Sequence, residues 1–231
     1  MSDSPIAAMF DRISPKYDRI NHLLSLNIDK VWRRKTAKAV AKNHPKTILD
    51  LATGTADLAI ALAKRNPRAQ IIGVDFSEKM LEIGEAKIKA QNLENQIKLR
   101  LADATSLPFE DESFDAVTVA FGVRNFEDLE HGLSEIQRVL KPQGQALILE
   151  FAMPEKFPIK QLYKLYFKHL LPKIGHWISK DASAYSYLPE SVERFPKPCD
   201  FMRTLSNHGL SGCTIQRFSC GLAILYVANK M

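Results

Sequence analysis

Five short apolar or alternating runs recur along the chain: Thr47–Ala52, Ala69–Phe76, Ile97–Ala102, Phe114–Phe121 and Gln145–Phe151. Their length and β-branched content predict strands. Helical spacing of apolar residues fills the gaps, over Asp57–Arg65 after the first run, Glu78–Gln91 after the second and Glu130–Leu140 after the fourth. Pro67, Pro108 and Pro142 fall in the turns between them, where a missing N–H costs least. Strands alternating with helices predict an α/β fold built on a mostly parallel sheet. Near the end of the chain the alternation stops. Cys213–Phe218 and Leu222–Ala228 are two strand patterns separated only by a short turn, which implies antiparallel pairing and one reversed terminal strand. The total is seven strands, with helices on both faces.

Before the first strand, Phe10, Ile13, Tyr17, Ile20 and Leu24 follow one another at spacings of 3, 4, 3 and 4. This is a helical stripe able to roof a pocket or to pack on a core, and Pro15 is expected to divide it into two helices. Residues 1–40 are therefore expected to form a helical cap on a single domain spanning 1–231.

Composition narrows the setting. A chain of 231 residues that is 45% hydrophobic can bury a large core, and no run approaches the roughly 18 apolar residues of a membrane span. Cys199, Cys213 and Cys220 fit neither a CxxC pair nor a disulfide framework, which favours a cytoplasmic setting, and no metal is expected. The formal charge of +6 favours anionic partners. Because the lysines are spread over several helices, most are read as solvated helix faces.

The stretch "LDLATGTADLA", residues 49–59, leaves the first strand and enters a helix, where open α/β sheets bind ligands. Gly54 permits a positive φ or a close ligand approach, and Asp50 could reach a cationic amino group. The close-approach glycines of a GxGxxG diphosphate loop are missing. Asp75, at the end of the second strand, is spaced to accept hydrogen bonds from ribose hydroxyls, and Asp103, after the third, could accept from an adenine amino group while the Ala104 N–H faces a ring nitrogen. Any one of these acids could simply cap a helix. Three at the ends of consecutive strands point to an adenosine carrying an amino acid, S-adenosylmethionine.

The segments "MFDRISPKYDRINHLLSLNIDKVWRRK", "ILDLATGTADLA", "FGVRNFEDL", "EIQRVLKPQGQALILEF" and "YSYLPESVERFP" resemble the menaquinone/ubiquinone biosynthesis C-methyltransferases, from about Met9 to Ala228. The resemblance implies a Rossmann-like class I methyltransferase fold and methyl transfer from S-adenosylmethionine to a ring carbon of demethylmenaquinol, with the ubiquinone-pathway benzoquinol as the alternative acceptor. It implies cofactor contacts from Thr55, Asp75, Asp103 and Ala104, with Ala120 lining the pocket through its backbone. Arg124 and Asn125 become the catalytic candidates, Arg124 as a stabiliser of phenolate charge or an orienter of water rather than a base. His22, Asp29, Tyr185 and Tyr187 are alternatives for the base. Three residues depart from the family pattern: Ala56 and Gln143 stand where glycines are usual, and Ala120 where serine is common. Gly144 is expected to supply the flexible position of the turn at 142–144.

The resemblance also implies a prenylated quinol as substrate. The stretch "IKQLYKLYFKHLLPKIGHW", residues 159–177, interleaves lysines with aromatics as an interfacial helix would. The expected partners are that quinol, a membrane touched peripherally at its inner face, and a second copy in a homodimer, with no nucleic acid.

Overall fold

Side chains alternate cleanly between the two faces of the central sheet in this computed structural model, which describes residues 5–154, 157, 160, 161, 165 and 183–231. In β5 (Leu140–Phe151) Leu147 and Leu149 face one core while Ala146 and Ile148 face the other. In β7 (Ala223–Lys230) Ala223 and Leu225 share the first core, and Ile224 and Tyr226 the second. A strand buried on both faces must be apolar throughout, which is why these segments read as continuous hydrophobic runs.

The remaining strands are β1 (Thr47–Leu51), β2 (Gln70–Asp75), β3 (Ile97–Leu101), β4 (Phe114–Ala120) and β6 (Leu210–Phe218), and the sheet runs β3-β2-β1-β4-β5-β7-β6. Pairing is parallel from β3 through β5, and β7 is antiparallel to both β5 and β6. The reversed strand is the last in sequence but sits inside the sheet, so β6 forms the edge. The order reverses at β1, and the ends of β1 and β4 therefore open the crevice in which such sheets bind ligands.

Seven helices surround the sheet among the described residues: α1 (Pro5–Leu24), α2 (Ile28–Val40), α3 (Asp57–Arg65), α4 (Glu78–Lys89), α5 (Leu129–Val139), α6 (Ser183–Arg194) and α7 (Pro198–Asn207). Pro15 does not divide α1 as its ring chemistry led us to expect. A proline at 15 cannot bond the Asp11 carbonyl, but the buried Ser14 hydroxyl donates to that oxygen at 3.0 Å and takes over the missing donor's role.

Two strands start earlier than the apolar pattern suggests. Leu140 already pairs with Phe114, and a bulge then carries the chain through residues 141–144 before pairing resumes at Gln145. Within that turn the left-handed residue is Gln143, at φ +64°, and not Gly144. Gly144 is small for another reason, since a Cβ there would lie 2.8 Å from the Lys141 carbonyl oxygen. Likewise β6 begins at Leu210, with Gly212 at φ +62° where its register against β7 shifts.

Candidate active site

The loop after β1 is held by its own backbone. Thr53 N–H donates to the Val74 carbonyl at 3.0 Å, and Ala56 N–H donates to the Thr53 carbonyl at 2.9 Å. Three of its five residues are left-handed: Ala52 (φ +50°), Gly54 (φ +55°) and Ala56 (φ +64°). Space is open where a Gly54 side chain would project. Phe121, at the end of β4, is also left-handed at φ +61°. A Cβ on the neighbouring Gly122 would come within 2.4 Å of the Ala52 Cβ, so the two strand-end loops approach closely only because residue 122 is glycine.

Between these loops lies a cavity that opens to solvent, about 800 Å³ in all with the solvent at its mouth included. Gly54, Asp75, Asp103, Ala104 and Ala120 all line it, as does Asn125. Asp75 is 6% exposed and accepts from the Gly54 N–H at 2.8 Å and the Ser77 N–H at 2.9 Å. Burial nevertheless pushes its carboxyl up to about 6, against the pull of those amides. An ionised carboxylate offers about four lone-pair positions. Two are used, so Asp75 retains acceptor capacity toward the cavity. Asp103 is exposed and organises its own loop, accepting from both the Thr105 N–H and hydroxyl at 2.8 Å. Phe76 and Met80 supply apolar wall beside these acids. Backbone-braced acids, apolar wall and an open Gly54 fit a nucleoside carrying an amino acid.

Three expected residues lie elsewhere. Asp50 is 1% exposed beneath the loop, bonded by the Thr53 hydroxyl at 2.7 Å and the Thr118 hydroxyl at 2.6 Å, and does not line the cavity. Burial raises its carboxyl to about 6. The Thr55 hydroxyl turns toward the N-terminal cap, donating to Asp18 at 2.6 Å and accepting from Lys87 at 3.1 Å. The Arg124 side chain is 7% exposed and pairs at 2.7 Å with Glu150, which is itself buried. Its guanidinium also donates to the Phe121 carbonyl and to the Ser191 hydroxyl of α6, and covers the Phe151 ring at 5.3 Å. In this geometry Arg124 does not line the cavity, and its hydrogen bonds brace the turn.

Asn125 occupies the cavity-facing position of that turn. Its side-chain oxygen accepts from the Tyr187 hydroxyl at 2.8 Å. The base candidates His22 and Asp29 pair with each other at 2.8 Å, and Asp29 also pairs with Arg33; neither lines the cavity. The side chain of Tyr185 and most of 159–177 lie outside the described residues. Among the described residues, the titratable side chains that line the cavity are Tyr17, Asp75, Asp103 and Glu127. Burial raises the Tyr17 phenol, opposed by the nearby guanidinium charges of Arg124 and Arg33.

The roof comes from α1. Ile6, Phe10 and Tyr17 line the cavity, and Phe10 meets Phe76 edge-on at 6.1 Å. Two hydroxyls latch this helix to the strand-end loops, Thr55 through Asp18 and Ser77 through Asp11 at 2.5 Å. Asp18, His22 and Asp57 approach closely enough to share a metal ion, but the Lys87 ammonium already pairs with both carboxylates. The motifs did not reveal Phe76, Phe121, Gly122 or Phe126 as lining residues. Their adjacency to Asp75 and Asn125 at strand ends was the available signal.

Comparison with known proteins agrees with this arrangement. Residues 1–230 match the ubiE/COQ5 methyltransferase family. A demethylmenaquinone methyltransferase of Bacteroides fragilis is 45% identical over 225 residues, covering 97% of this chain and 92% of the relative. A ubiquinone/menaquinone biosynthesis C-methyltransferase UbiE of Geotalea daltonii is 42% identical, covering 97% and 96%. Among solved structures, a SAM-dependent methyltransferase from Thermotoga maritima superimposes with a TM-score of 0.69 at 18% identity, over 97% of this chain and 99% of that one, and shares the fold.

Proposed function

Because this chain belongs to the ubiE/COQ5 methyltransferase family, we propose that it transfers a methyl group from S-adenosylmethionine to a ring carbon of demethylmenaquinol, giving menaquinol. The observation that carries this reading is that the ends of neighbouring strands line one cavity, with Asp75 and Asp103 at the ends of β2 and β3 and Phe121, Asn125 and Phe126 after β4 on the other side of β1. The UbiE name of a 42% identical relative also favours a second acceptor, the benzoquinol of the ubiquinone pathway.

When bound, the cofactor supplies an electrophilic methyl on its sulfonium. The work left to the protein is to hold the acceptor carbon in line and exclude water. Asp75 would hold the ribose hydroxyls, and Asp103 with the Ala104 N–H the adenine edge. Gly54 leaves room for the amino-acid portion. At the other end, the rings of Tyr17, Phe121 and Phe126 form the apolar walls for a quinol, and the Asn125 amide is the polar group able to orient a ring oxygen. Arg124 is a positioning residue. Its pair with Glu150 fixes the turn that carries Asn125, and its charge partly offsets the burial that raises the Tyr17 phenol. A prenyl tail would leave the cavity toward a membrane surface.

Pure protein incubated with methyl-labelled S-adenosylmethionine and each reduced quinone tests this directly. Label is expected in menaquinol. Cofactor binding without transfer to any quinol would sink the proposal.

A further inference from the structure

The chain's charge is not spread evenly over the folded protein, as its sequence had suggested. Residues 5–43 hold nine Lys and Arg against three Asp, which accounts for the whole of the formal +6. The three acids are engaged at the base of the cap: Asp11 with Ser77, Asp18 with Thr55 and Lys87, and Asp29, buried, with Arg33 and His22. The bases of α2 face the other way. Lys30, Arg34, Lys35 and Lys38 are all exposed. On an ideal helix they and Val31 occupy one arc of about 140°, and no acidic residue interrupts it. Lys30, Arg34 and Lys38 have no ion-pair partner among the described residues. At the N-terminal end of the arc the chain exposes two apolar side chains, Leu26 at 76% and Val31 at 44%.

The opposite face of α2 borders the cavity. Trp32, 4% exposed, packs on the cavity-lining Phe121 at 6.0 Å and donates to the Ser219 hydroxyl at 3.0 Å, while Arg33 covers the same Phe121 ring at 5.3 Å. One layer of side chains thus separates the basic face from the acceptor end of the cavity.

We propose that the outer face of α2, with the Leu26 turn before it, is a docking surface for an anionic lipid bilayer. The inference rests on the lipid acceptor proposed above. Its chemistry is that of an interfacial helix: the four bases meet lipid phosphates, the Lys and Arg stems lie along the apolar boundary, and Leu26 and Val31 enter it. Each basic residue near an anionic surface contributes about 1 kcal/mol, roughly a fivefold gain in partitioning, and the gain weakens within a Debye length as salt rises. Docking here would hold the acceptor end of the cavity next to the layer in which a prenylated quinol dissolves.

Vesicle flotation tests this, using phosphatidylcholine alone or mixed with phosphatidylglycerol. The wild-type chain should float with the anionic vesicles and not with the neutral ones, and salt should release it. The triple variant Lys30→Ala, Arg34→Ala, Lys38→Ala should lose about 100-fold or more in partitioning. Leu26→Ser with Val31→Ser should weaken flotation while leaving its release by salt intact. Both variants should keep wild-type turnover of a short-chain, water-soluble demethylmenaquinol, which separates docking from chemistry. Equal flotation of the triple variant and wild type would overturn the docking surface, as would tighter binding to mixed-sequence RNA than to anionic vesicles. Failure to methylate the soluble quinol while flotation persists would instead sink the acceptor reading and leave this one standing.

Discussion

The two ends of the cavity are built from different materials. At the Asp75 end, each polar group is braced by backbone within a few residues or by the adjacent loop: Asp75 by Gly54 and Ser77, Asp103 by Thr105. At the Asn125 end, the bracing comes from far along the chain, with Glu150 on β5 and Ser191 and Tyr187 on α6. The first construction tolerates the loss of one side chain, because the amides remain. The second depends on a buried ion pair, and removing either member strands the other in a place that water does not reach.

The largest effect tests that dependence. Arg124→Ala leaves Glu150 charged, buried and without its partner, so unfolding in urea should show a loss of about 3–5 kcal/mol. Methyl transfer should fall with it, since the turn that carries Asn125 is no longer fixed. The double variant Arg124→Met, Glu150→Leu removes both charges and should recover most of the stability without recovering the rate. A single variant as stable as wild type would erase the contrast between the two ends.

The same contrast explains what the sequence could reveal. The Asp75 end was legible because its parts lie at strand ends within short motifs, and strand alternation predicts where those ends fall. The ion pair of Arg124 was not legible because its partner is 26 residues away on another strand, and a sequence does not show which buried acid faces a given arginine. Pro15 misled for a related reason. Its ring forbids a backbone hydrogen bond, but the compensating donor is the side chain of Ser14. The basic face of α2 was hidden because its acidic neighbours count against it in sequence, whereas in the fold they turn inward.

At the other end, Asp75→Ala should weaken S-adenosylmethionine binding by at least tenfold, corresponding to the roughly 1.5–3 kcal/mol of a charge-assisted hydrogen bond. The domain should stay folded, because Gly54, one of the two amides it releases, lines the open cavity. Titration calorimetry beside a thermal melt separates the two quantities. Unchanged affinity would remove Asp75 from the cofactor.

Protonation gives a smaller, graded version of the same test. Burial raises Asp75 to about 6, and hydrogen bonds from ribose hydroxyls favour its ionised form, so affinity should rise with pH up to about 6 and level off above it. The dependence should approach tenfold per unit well below that point and vanish in Asp75→Asn. Stability runs in the opposite sense. Asp50 and Asp75 bind protons more tightly folded than unfolded, so their contribution is full below the ordinary carboxylate value near 4 and is lost as pH rises through about 6. Cofactor should offset the Asp75 share of that loss and leave the Asp50 share, because only Asp75 lines the cavity.

The smallest effect separates backbone strain from packing at two left-handed positions that carry a Cβ. Ala56 and Gln143 both hold φ at +64°, a conformation that costs a residue with a Cβ roughly 1–2 kcal/mol. Glycine removes that cost but gives up about 0.5–1 kcal/mol to the larger freedom of its unfolded chain. Gln143 is exposed in a turn and loses no core contact, so Gln143→Gly should stabilise by about 0.5–1 kcal/mol. Ala56 is fully buried, and its methyl lies 3.3 Å from where a side chain on Gly84 would begin. Deleting that methyl costs about 0.8 kcal/mol of burial, which cancels most of the gain. Ala56→Gly should therefore leave the melting temperature nearly unchanged and cofactor affinity intact, while Gln143→Gly raises the melting temperature by a few degrees. Equal stabilisation by the two would mean that the Ala56 methyl packs against nothing of consequence, and that the loop beside the cofactor is strained without compensation.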